Sequence, residues 1–120
     1  MQWRDLGDIN DFSACDRFVV TCAEGDIVVW RAQSGVWTAC DARCPHQWAH
    51  LGYDGVVDGD ELVCRQHFWR FATNGMGYKD AANGRRDEKS PVELFSVRVE
   101  NAQLQLKTDR GVIQILPLEP

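Results

Sequence analysis

Cys44-Pro45-His46-Gln47 and Cys64-Arg65-Gln66-His67-Phe68-Trp69-Arg70-Phe71, with seventeen residues between His46 and Cys64, are the stretches on which the fold turns. Each offers one thiolate and one imidazole at short spacing, as Cys-x-His and then Cys-x-x-His, and Pro45 restrains the first pair in a non-helical turn. Four such donors on two loops can grip a metal centre. One candidate is a tetrahedral zinc ion on which all four side chains converge, but zinc fingers take both cysteines from one knuckle and both histidines from a helix. Here each loop carries one of each kind, a pairing that suits a two-iron cluster in which each loop serves both irons.

Outward from these boxes, β-type runs recur between turn signals at 17–22, 26–31, 36–40, 61–65, 68–72, 97–99 and 103–107. Runs of that length without helical periodicity read as all-β. Phe18, Val20 and Cys22 alternate with Val19 and Thr21, Glu24-Gly25-Asp26 supplies a turn, and Ile27-Val28-Val29-Trp30 returns as the second strand of a hairpin. Leu104 and Leu106 alternate with polar residues, and Asp109-Arg110-Gly111 separates them from the apolar run 112–116. That arrangement predicts a closing hairpin, stopped by Pro117. Segment 78–90 carries Lys79, Asp80, Arg85, Arg86, Asp87, Glu88 and Lys89 without alternation, and is expected to be a surface loop.

With 120 residues, 44% of them hydrophobic, the chain reads as one domain over 1–120 with an ordinary core. No apolar stretch approaches the ~18 residues of a membrane span, and Met1-Gln2-Trp3-Arg4-Asp5 lacks the pattern of a secretory signal, so a cytoplasmic location is expected. In that compartment cysteines serve as thiols, ligands or redox groups, and Cys15, Cys22 and Cys40 are expected to be ordinary thiols. The formal net charge of -5 argues against general affinity for nucleic acid or anionic membrane and suits docking on basic surfaces.

Extended to Leu51-Gly52, and to Cys64-x-x-His67-x-Trp69-x-Phe71 followed by Thr73-Asn74-Gly75, the two boxes resemble those of the Rieske iron-sulfur family. Pro91, ahead of Leu94 and Val97-x-Val99, is similar to the family's proline loop that covers the cluster. The resemblance spans nearly the whole chain. It implies a small antiparallel β-sandwich or barrel base carrying a cluster-binding subdomain of two loops, about residues 42–72. It also implies one 2Fe-2S cluster, with Cys44 and Cys64 on one iron and His46 and His67 on the other. Gln47, Trp48, Trp69 and Pro91 are then expected around the cluster or at its docking face, and His50 in the loop nearby.

High-potential members of the family resemble Cys-x-His-x-x-Cys and Cys-x-Cys-His-x-Ser-x-Tyr, with a disulfide and two hydroxyl donors at the cluster. The four corresponding positions here are Ala49, Gln66, Trp69 and Phe71, so neither feature is expected and a low potential is predicted. A Rieske oxygenase needs a second iron on two histidines and a carboxylate, and His50 alone is left. The resemblance therefore implies an electron carrier that is not itself an enzyme. Gln47 and Trp48, with Arg65 where many relatives have proline, most resemble the ferredoxins of soluble diiron monooxygenases of the toluene and alkene type. The implied partners are an NADH-dependent flavin reductase and a diiron hydroxylase acting on a hydrocarbon. A ring-hydroxylating dioxygenase is the alternative acceptor, and a zinc-binding interaction module the alternative class. Asp54, Asp58, Asp60 and Glu61 in the spacer are expected to give the docking face an acidic surround.

Overall fold

Ile27-Val28-Val29-Trp30 is apolar at every position because this strand has a core on each side. The computed structural model describes residues 2–45 and 49–118. Its strands are β1 (Gln2–Asp8), β2 (Arg17–Cys22), β3 (Ile27–Arg31), β4 (Trp37–Asp41), β5 (Gly55–Asp58), β6 (Glu61–Cys64), β7 (Arg70–Ala72), β8 (Gly77–Asp80), β9 (Arg86–Lys89), β10 (Leu94–Glu100), β11 (Gln103–Thr108) and β12 (Val112–Pro117), with a 3-10 turn at Ile9–Phe12. A seven-stranded sheet runs β1-β11-β10-β4-β3-β2-β12, and a five-stranded sheet runs β5-β6-β7-β8-β9. The described pairs between named strands are antiparallel, as the all-β reading expects.

Successive side chains of a strand point to opposite faces, so β3 sends Ile27 and Val29 into one core and Val28 and Trp30 into the other. The first core gathers Phe18, Val20, Ala39, Leu104 and Leu106 within the larger sheet. The second unites both sheets and contains Cys40, Cys44, Leu51, Leu62, Cys64 and Phe71. Both candidate cysteine ligands are thus rooted in one apolar body.

The β2–β3 hairpin forms as its alternation and turn predict, with Phe18 opposite Val29 and Val20 opposite Ile27. The closing hairpin does not form. Both edges of β11 are occupied, by β1 and β10, whereas β2 has an open outer edge that β12 takes, setting Ile115 against Val20. Arg110 secures this crossing: its guanidinium donates to the Asp41 carboxylate at 2.8 Å and to the Gly25 carbonyl at 3.1 Å, and lies 4.8 Å from the Phe95 ring centre.

Segment 78–90 is not a loop. β8 and β9 form a hairpin that extends the smaller sheet, with Tyr78 opposite Glu88 and Asp80 opposite Arg86. Its turn contains Asn83-Gly84, a hairpin signal that the surrounding charge obscured. Apolar alternation is absent because ion pairs cover this sheet. Arg86 contacts Glu61 and Asp80, each at 2.6 Å, and Arg70 contacts Asp58 at 2.7 Å and Glu61 at 3.1 Å.

The hydrogen bond from Arg86, reinforced by the charges of Arg86 and Arg70, holds the Asp80 carboxyl below its ordinary value despite some desolvation. A group whose pKa is lowered by folding stabilises the folded state above its unfolded pKa and loses that contribution as pH falls through the folded value. Arg86→Ala is therefore expected to flatten the decline of stability on acidification below the ordinary aspartate range. Urea titrations of both proteins across that range check this.

Candidate metal centre

The two candidate ligand loops are built alike. The Cys44 N–H donates to the Ala49 carbonyl at 3.0 Å, and the Cys64 N–H donates to the Trp69 carbonyl at 2.9 Å. Each cysteine therefore opens a loop closed by its own backbone five residues later. Below the loops the chain continues as ladders, through the Arg43–His50 bridge on one side and the Val63–Arg70 pair on the other.

Both cysteines are buried, Cys44 at 1% and Cys64 at 0% exposure, and share the second core. His67 is exposed at the outer part of its loop. His46, Gln47 and Trp48 lie outside the described residues. Among the described residues no three His, Cys, Asp or Glu side chains converge as a site for a single ion. A two-iron cluster needs no such convergence, because its thiolates and imidazoles serve different irons. Two thiols rooted in apolar packing with an imidazole toward solvent fit that donor set.

The other cysteines do not join them. All five are buried and unbridged. Burial, with the neighbouring Asp41 charge, pushes the Cys40 thiol up to about 12, and burial also raises Cys15 and Cys22. Such groups stay protonated and inert, as ordinary core thiols.

Pro91 is exposed, but its neighbour Val92 is buried in the core that holds Cys44 and Cys64. The Val92 N–H donates to the Gly75 carbonyl and the Glu93 carbonyl accepts from the Asp41 N–H, both at 2.9 Å, fixing this segment against the cluster side. Trp69 is half-buried and packs against the same core, with the Lys89 ammonium 5.9 Å from its ring centre. At Ala49, Gln66, Trp69 and Phe71 the structure forms no disulfide, and Phe71 fills the core without a hydroxyl.

His50 has a defined role. Its Nδ1 accepts the Gly52 and Tyr53 N–H groups at 3.0 and 3.2 Å, which leaves the proton on Nε2, 2.9 Å from the Asp26 carboxylate. His50 thus ties the first ligand loop to the β2–β3 turn. Sequence spacing gave no sign of this bond, because Asp26 lies on another hairpin.

Part of the acidic charge of the spacer is paired internally. Asp58 and Glu61 face Arg70, Glu61 also faces Arg86, and Asp60 accepts from the Ser34 N–H at 3.0 Å. Asp54 accepts from the His50 N–H and from the Gln66 amide. Asp58 and Glu61 are thus committed to arginines of the smaller sheet that the spacer alone does not reveal, whereas Asp54 and Asp60 meet neutral donors and keep their charge.

A β-fold in which two matching loops each present a buried cysteine defines the class: a small iron-sulfur electron-transfer domain. Residues 2–103 match the Rieske [2Fe-2S] domain, and the chain belongs to that family; its cofactor is a [2Fe-2S] cluster. It is similar to the oxygenase subunit of 5,5'-dehydrodivanillate O-demethylase from Sphingobium sp., at 29% identity over 80% of this chain and 24% of that protein. The fold is shared with dicamba monooxygenase, at a TM-score of 0.73 and 24% identity over 88% of this chain and 31% of that one. It is shared also with a chain from the complex of oxygenase and ferredoxin of carbazole 1,9a-dioxygenase, at a TM-score of 0.71 and 20% identity over 92% and 97% of the two chains. The chain spans about a fifth of the length of the first curated relatives it matches, between 17% and 24%. Among the described residues no helix is long and apolar enough to cross a membrane.

Proposed function

We propose that this domain relays single electrons from an NADH-dependent flavin reductase to an oxygenase, with Cys44 and Cys64 holding one iron and His46 and His67 the other. The observation that carries the reading is the pair of matching loops that root Cys44 and Cys64 in one core while His67 faces solvent. When bound, the cluster supplies a one-electron couple. The buried thiols shield the inner side, and the exposed imidazole sets the electron's exit toward the surface. His50, the histidine outside the ligand boxes, is engaged with Asp26 and the neighbouring backbone.

Gln47, Trp48 and Arg65 favour a diiron hydroxylase of the toluene and alkene type as acceptor. Similarity to components of Rieske oxygenases favours a ring-hydroxylating dioxygenase system. Reconstitution of candidate oxygenases with their reductases separates the two: the true acceptor turns over only when this protein is present. The purified protein should be red-brown and bleach with dithionite, and a colourless, zinc-loaded protein overturns the redox reading.

Without hydroxyl donors at Trp69 and Phe71, the midpoint potential is expected at about −150 mV, the lower end of the Rieske range. Protein-film voltammetry measures it, and a midpoint above zero contradicts the assignment.

A further inference from the structure

Asp54 stands between the two ligand loops and bonds to both. Its carboxylate accepts the His50 N–H at 3.1 Å on one oxygen and the Gln66 side-chain amide at 3.2 Å on the other. Its main chain repeats the pattern: the Asp54 N–H donates to the His50 carbonyl at 2.7 Å, and the Asp54 carbonyl accepts the Arg65 N–H at 2.8 Å. His50 carries the chain out of the first loop, bridged to Arg43, and its ring is anchored 2.9 Å from the Asp26 carboxylate on the larger sheet. Arg65 and Gln66 lie within the second loop, between Cys64 and His67. The residue after Asp54, Gly55, pairs with Cys64 at the start of β5.

The two cysteines are held by burial in their shared core. The outer part of the second loop has no such support. Arg65, Gln66, His67 and Phe68 are all exposed, and Phe68 has a left-handed backbone, φ 61°, which a bulky residue takes at a free-energy cost. Among the described residues no disulfide joins the loops. When each loop supplies one ligand to each iron, the loops must keep a single separation for the cluster to stay bound. Apolar packing sets that separation at the cysteines, and the bonds of Asp54 carry it outward to Gln66, beside His67.

We infer that Asp54 is a positioning residue for the cluster, its carboxylate clamping the stem of the first ligand loop to the outer part of the second and so slowing cluster loss. This role rests on the ligand set proposed above and adds to it a residue that binds no iron. Both donors to the carboxylate are neutral, a backbone N–H and an amide, so the clamp is made of hydrogen bonds and not of an ion pair.

The test follows loss of iron from the whole, cluster-loaded protein to excess EDTA, read as decay of the visible band. Asp54→Ala should lose its cluster about tenfold faster than wild type, and Gln66→Ala, at an exposed position, about threefold faster. Both variants cut the same bond between the loops, so the double variant should match Asp54→Ala, whereas independent effects would multiply to about thirtyfold. Asp54→Asn should release at the wild-type rate, because its amide oxygen accepts the His50 N–H while its amide nitrogen donates to the turned Gln66 oxygen. The EPR lines of the reduced cluster should broaden in Asp54→Ala and stay sharp in Asp54→Asn. Multiplying effects overturn the inference, since Asp54 would then support only its own turn. Release from Asp54→Asn as fast as from Asp54→Ala also overturns it, since charge and not the pair of bonds would then matter. A wild-type protein lacking the visible iron-sulfur band fails the cluster reading, and this inference with it. The band together with multiplying effects fails this inference alone.

Discussion

Replacing Cys64 with serine is expected to abolish the red-brown chromophore while leaving most of the fold in place. Cys64 is fully buried, its N–H is fixed on the Trp69 carbonyl, and its own carbonyl accepts the Phe68 N–H, so the side chain has little freedom to find another partner. Serine offers a harder oxygen in place of the soft thiolate that iron-sulfur clusters require. In the apo protein a buried hydroxyl without a partner costs about 1–3 kcal/mol, a fraction of a domain's stability. Visible absorption and iron content measure the first effect, and thermal unfolding the second. Two further variants separate ligation from packing. His67→Ala, at an exposed position, should lose the chromophore with little change in the apo protein's melting point. Cys40→Ser, in the same core but with no place in the ligand loops, should keep the chromophore and lose stability. A Cys64→Ser protein with the wild-type spectrum would remove Cys64 from the ligand set.

Gly55→Ala is expected to be the most disruptive single methyl group in the smaller sheet. Gly55 pairs directly with Cys64 across β5 and β6, and a Cβ there would stand 1.9 Å from the Leu51 carbonyl oxygen and 2.9 Å from its carbon. Those neighbours are backbone and cannot rotate away. Leu51 is itself buried, and its N–H donates to the Ala42 carbonyl, so relief requires the first ligand loop to move away from the strand that carries the second. Overpacking against rigid surroundings costs about 3 kcal/mol, or on the order of 10 °C in melting temperature. Cluster content should fall in parallel, because the same close approach brings the loops together. Gly111→Ala is the control: its Cβ would meet only the Glu24 carboxylate, at 3.7 Å, and a shift within about 0.5 kcal/mol is expected. Equal melting points for Gly55→Ala and wild type would show that the loops do not depend on this approach.

Local order along the chain was enough to read the β2–β3 hairpin, the all-β class and the loop that joins Cys64 to His67. Each of these is set by neighbours in sequence: alternation places Phe18 and Val20 on one face, and the short spacing of Cys64 and His67 holds both in a single loop. Even the apolar run 27–30 was legible as a strand, though not as one with a core on both sides.

Only the tertiary structure decided where distant edges meet. The residues 112–116 form a strand in either arrangement, but their partner is β2 because both edges of β11 were already filled. Segment 78–90 pairs as a hairpin in which Arg86 bonds both Asp80 and Glu61 on the sheet, a compensation invisible to a hydrophobic pattern. The same network pairs Asp58 and Glu61 of the spacer with Arg70. Periodicity and ligand spacing act within a few bonds of the chain. Pairing of strand edges, pairing of charges and the Leu51–Gly55 approach depend on which groups folding brings within reach, and that is settled in space.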